Sequence, residues 1–105
     1  MKLTNNDIFS INLALNKIIE NKMSARLAFK LYKIKKKIED EVIIIQKSFE
    51  GKEEDEKEVE EVLAMENEID IEKIRASELE EVKLSMKDVF LLEKIIDFEE
   101  GEENE

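Results

Sequence analysis

Apolar residues recur along the middle of the first half at Leu27, Leu31, Ile34, Ile38, Val42, Ile45 and Phe49. Steps of three and four are the spacing of one helix face. They predict a long helix over about 25–50, ending at Gly51 in the position after the C-cap. At 1.5 Å per residue such a helix is about 39 Å long, more than a compact chain of this size spans easily. Ser24 stands where its N-cap belongs. At about 100° per residue, Phe29, Tyr32 and Ile43 fall on the flank opposite the stripe. A helix apolar on two flanks is expected to pack on two things.

One of these is a shorter helix upstream. Thr4 to Asp7 reads T-x-x-D, a capping-box-like start, and Ile8, Ile11, Leu15, Ile18 and Ile19 follow at helical spacing. The reading is a helix at about 5–20, a short turn at Asn21 and Lys22, and an antiparallel helical hairpin. The second flank is left for a later helix or another copy of the chain.

The pattern weakens after residue 51. Residues 52–58 read KEEDEKE, a charge run, and Val59, Val62 and Leu63 support one weak helix at about 54–67. In residues 68–74 Ile69 and Ile71 alternate with Asp70 and Glu72, the period of a strand. Its expected mate is Val82–Leu84, connected through 75–81, forming a ribbon that must lie on the helices to be stable. Ser85 to Asp88 reads S-x-x-D, and Val89, Phe90, Leu91, Leu92, Ile95, Ile96 and Phe98 follow. A helix at about 86–98, apolar around most of its circumference, is expected to be the most deeply buried or an oligomer contact. The tail 99–105, EEGEENE, is read as disordered. The predicted fold is thus mostly α (α+β): a helical hairpin with a long second helix, a two-stranded β-ribbon and a short C-terminal helix. Residues 1–98 form a single domain in this reading.

Composition supports helices. The 105 residues contain no proline and two glycines, so sharp-turn chemistry is scarce. Charged residues make up 43%, against roughly 25% in an average domain. Net charge is −11, unevenly spread. Residues 1–50 carry ten Lys/Arg against six Asp/Glu, and residues 51–105 carry seven against 22. Such halves are expected to attract each other, within one chain or between copies.

The absence of His and Cys removes the commonest general base, the commonest zinc ligands and the thiol nucleophile. There is no Gly-rich phosphate loop, and none of the five serines has a histidine to activate it. The chain is therefore read as non-enzymatic, without cofactor or small-molecule substrate. No apolar run is long enough to span a membrane and the first ten residues lack a signal-peptide core, so the expected location is the cytoplasm. Glu66, Glu68, Asp70 and Glu72 would share a strand face that could attract Ca²⁺ or Mg²⁺, but the spacing matches no EF-hand and a solvated face is the plainer reading.

Arg26, Lys30, Lys33 and Lys37 share one side of the long helix, with Lys35 and Lys36 nearby. Beside Phe29 and Tyr32 this stripe could meet phosphates or bases. The acidic half opposes that, so nucleic-acid binding is not expected. Phe29, Tyr32, Lys30, Lys33, Lys37 and Ile43 together make the candidate interaction surface, for a protein partner or for self-association. An alternative reading makes the acidic half a nucleic-acid mimic that inhibits a host nuclease or polymerase.

Three stretches, MKLTNNDIFSINLALNKI, SARLAFKLYKIKKKIEDE and LAMENEIDIEKI followed by SMKDVFLLEKIID, together resemble an uncharacterised family of small proteins. That family is encoded by phages and prophages of low-GC Gram-positive bacteria. Its members carry a proline in the turn before the second helix, where this chain reads Lys22-Met23-Ser24. The resemblance implies a phage origin, a compact α+β fold and an accessory role in the host cytoplasm, and supplies no catalytic residues.

Overall fold

The structure, a computed structural model, describes residues 1–50 and 55–98. In chain order the elements are β1 (Lys2–Thr4), α1 (Asn5–Ile18), α2 (Ala25–Ser48), α3 (Glu56–Ala64), β2 (Glu66–Glu68) and β3 (Ile74–Arg75). A 3₁₀ turn at Ala76–Glu81 precedes α4 (Met86–Leu92), and a second at Glu93–Ile95 leads into β4 (Ile96–Asp97).

The helix starts follow local chemistry. The Thr4 hydroxyl accepts from the Asp7 N–H at 3.0 Å while Asp7 accepts from the Thr4 N–H at 2.9 Å, a reciprocal capping box. Ser85 and Asp88 repeat the arrangement at α4. Ser24 caps α2 through the Leu27 N–H, and its own hydroxyl donates to Glu81 at 3.1 Å. A carboxylate is thereby held at the positive end of a 24-residue helix.

α1 and α2 form the hairpin, and α4 and α3 also pack against α1. Ile8, Ile11, Leu15 and Ile18 of α1 and Leu27, Leu31, Ile34, Ile38, Val42 and Ile45 of α2 are buried in one core. Ile69, Ile71, Ile74, Leu79, Val82, Leu92, Ile95 and Ile96 join it from the second half. Phe49, the last residue of the stripe, is half-buried and caps α2, which stops at Ser48. The expected role of Gly51 and the expected disorder of 99–105 lie outside the described residues.

The β structure differs from the expected ribbon. Only Glu66–Glu68 pairs there, antiparallel with β1, in the register Lys2↔Glu68, Leu3↔Asn67 and Thr4↔Glu66. The amine of Met1 donates to the Ile69 carbonyl, and the Ile69 N–H returns to the Met1 carbonyl, both at 2.9 Å. Val82–Leu84 is not a strand, and Ile74–Arg75 instead pairs in parallel with Ile96–Asp97. The physical reason is that Ile69 and Ile71 bury in the helical core while Asp70 and Glu72 face solvent. Alternation is satisfied by side-chain burial, and the segment between β2 and β3 has no strand beside it. Its Asp70 carbonyl accepts from the Lys37 ammonium instead.

The C-terminal helix is also shorter than expected. It runs seven residues before tightening into the 3₁₀ turn, which lets Ile95 and Ile96 enter the core and β4 reach β3. Met86, Phe90 and Phe98 remain exposed, so this is not the most deeply buried helix. α3 likewise occupies only the middle of its predicted span and has no fully buried residue.

Candidate interaction surface on the second helix

α2 is capped at its start and its core stripe is buried along its length, so the opposite side is fixed in orientation. About 180° from the stripe lie Phe29, Lys36, Asp40, Ile43 and Lys47, with Tyr32 and Glu39 beside them. Phe29, Tyr32 and Ile43 are 69%, 62% and 50% exposed. Isolated exposed apolar residues are ordinary. Here they repeat along one face of one helix, and none is needed by the core.

The basic residues named with them occupy a different side. Lys30 is half-buried, and its ammonium donates to the Glu78 carboxylate at 2.8 Å with Glu72 at 3.9 Å. Lys37 donates to the Asp70 carbonyl. Lys33 lies between them, lining a shallow cleft with Lys30, Ile34, Lys37, Asp70 and Glu72. The structure therefore divides the predicted surface in two. Phe29, Tyr32 and Ile43 face solvent, while Lys30, Lys33 and Lys37 line the seam with the segment 70–78.

At this seam the Lys30 hydrogen bond, helped by the Arg75 N–H, holds the Glu78 carboxyl below its ordinary value. On the open side Lys35 does the same to Glu39 across one helical turn. Glu78 and Glu81 are thus turned toward α2 by Lys30 and Ser24, while Glu72 stays in solvent at 3.9 Å from Lys30. Among the described residues no group of carboxylates converges as a metal site, and Glu66, Glu68, Asp70 and Glu72 are exposed.

A second feature was not apparent from residue spacing. Where α1 ends and α2 begins, Leu15, Ile18, Met23, Ala28, Leu31 and Tyr32 line an apolar cleft of about 210 Å³. Tyr32 thus borders both the cleft and the open face. Ile44 is 61% exposed as well. The run Ile43-Ile44-Ile45 could have signalled it, because three consecutive residues on a helix cannot share one face. No described helix is long and apolar enough to cross a membrane. Comparison of the chain with protein-family models, curated proteins and solved structures finds no match.

Proposed function

We propose that this chain is a non-catalytic accessory protein, of phage or prophage origin, that works in the host cytoplasm by protein–protein contact. Its contact surface is the open face of α2, and its first partner is itself. The observation that carries this reading is the exposure of Phe29, Tyr32 and Ile43 on the far side of a helix whose core stripe is complete without them. Exposed aromatic and aliphatic side chains on a rigid element are what interface centres use. Engagement of Glu78 and Glu81 inside the chain favours this over mimicry of nucleic acid. Engagement of Lys30 and Lys37 likewise disfavours nucleic-acid binding. The origin rests on the family resemblance, and a gene neighbourhood without phage genes would count against it.

Sedimentation equilibrium across a wide concentration range tests the contact. The mass is expected to rise above 12.4 kDa for the native chain, and to stay monomeric for a Phe29→Asp, Tyr32→Asp double variant with unchanged circular dichroism. A native chain that remains monomeric at the highest concentration sinks self-association.

A further inference from the structure

The open face of α2 has a seam of its own. Phe29, Tyr32, Lys36, Glu39, Ile43 and Gln46 follow one another in alternating steps of three and four. That is the spacing by which one helix meets another, with Phe29, Lys36 and Ile43 at one seam position and Tyr32, Glu39 and Gln46 at the other. The two polar residues in the middle have opposite charge.

In an antiparallel pair of identical helices, each residue at one seam position meets the other position on the second copy. We infer that α2 pairs antiparallel with α2 of a second copy, in the register that sets Lys36 of each against Glu39 of the other. This inference rests on the reading of the face as a self-contact. In this register Tyr32 faces Ile43 and Phe29 faces Gln46. Lys33 comes beside Asp40 at the rim. Sliding the copies by one heptad sets Tyr32 against Lys36 or Ile43 against Glu39, matching apolar groups with charges. A parallel pair sets Lys36 against Lys36 and Glu39 against Glu39. Of these arrangements the antiparallel register alone joins Tyr32 to Ile43 and cation to anion, with Phe29 against the uncharged Gln46 at each end. The same logic operates on a larger scale, since cations dominate α2 up to Lys37 and Glu39, Asp40 and Glu41 follow. Antiparallel pairing brings each cluster over its opposite.

Glu39 already accepts from Lys35 within its own helix at 2.5 Å. A carboxylate has acceptor sites for both lysines. One helix face covers less surface than the roughly 800 Å² per partner of a standard interface, so the pair is weak and rapidly exchanging.

Charge reversal and cross-linking test the register. Lys36→Glu and Glu39→Lys, each made alone, place like charges at two symmetric positions of the pair. Each should weaken association about tenfold, whereas the double variant keeps the native net charge and should return to within about threefold of the native chain. The chain contains no cysteine. A mixture of Tyr32→Cys and Ile43→Cys chains should therefore oxidise mainly to the 32–43 cross-linked species. Association that persists without rescue by the double variant, or cross-linking only of like with like, overturns the register while leaving self-contact standing. A native chain that never exceeds monomer mass overturns both.

Discussion

Asn5 shows how far a single side chain can reach. Among the described residues it is the polar side chain that the core encloses. Its Nδ2 donates to the Val62 carbonyl and its Oδ1 accepts from Asn67, both at 2.6 Å. Its backbone N–H donates to the Met65 carbonyl at 2.9 Å. The first residue of α1 is thus tied to the end of α3 and to β2. Asn5→Ala would remove the donor of one carbonyl and the acceptor of one amide, and buried groups left unpaired cost about 1–3 kcal/mol. Urea unfolding should show a loss of that size. Asn67→Ala should cost a comparable amount, because the acceptors it would leave unpaired, the Asn5 Oδ1 and the Leu3 carbonyl, belong to buried residues. Nothing in the sequence signals these partners. An asparagine in a first helical turn reads as local capping, and its real contacts lie 57 and 62 residues away.

At the scale of elements, α2 separates the residues that fold the chain from those that are free to bind. Ile38 is fully buried on the stripe and Phe29 is 69% exposed opposite it. Ile38→Ala should destabilise by about 2–5 kcal/mol, the range for deleting a buried aliphatic side chain. Phe29→Ala should stay within about 0.5 kcal/mol when measured at concentrations where the chain is monomeric. Comparable losses from both, in urea melts, would mean that the face belongs to the fold. α1 and α2 were legible because their information is local: caps at Thr4 and Ser24 and a stripe repeating every three or four residues. That same regularity located Phe29, Tyr32 and Ile43 on the open face. Strand partners were not legible, since two- and three-residue strands carry no periodic signal and their mates are chosen by where the helices have already placed the backbone. The seam around Lys30 was half legible. A basic stripe and an acidic half suggest attraction, but only the path of residues 69–81 decides that Lys30 meets Glu78 and Lys37 meets a carbonyl.

Across the whole molecule the charge split becomes a set of specific ties. Lys30 to Glu78 and Lys17 to Asp88 at 3.7 Å join a cation of the first half to a carboxylate of the second, and Lys94 to Asp7 at 3.5 Å joins the halves with the signs exchanged. Glu78 links these ties to pH. Its carboxyl is lowered in the folded chain, first by the Lys30 hydrogen bond, whereas an unfolded Glu titrates near 4.3. The charged form is favoured by folding, so its contribution is complete above the unfolded value and is lost as pH falls through the lowered one. Glu78→Gln should therefore cost about 0.5–1 kcal/mol at pH 7, as a partly exposed pair does, and the difference should vanish in strong acid. Urea midpoints from pH 7 to pH 3 check both. A difference that grows on acidification would contradict the assignment.

The two small sheets set a limit on how such a molecule can assemble. Each has two strands, so among the described residues every strand is an edge of its sheet. Yet among the described residues the strands are short: β1 and β2 have three residues each, and β3 and β4 have two. A strand added from another chain would gain only one or two ladder bonds before the backbone bends away. Brevity thus closes the route of edge-to-edge pairing, by which β-rich proteins form fibres. The proposed self-contact rests instead on side chains of a helix, where charge and salt can reverse it.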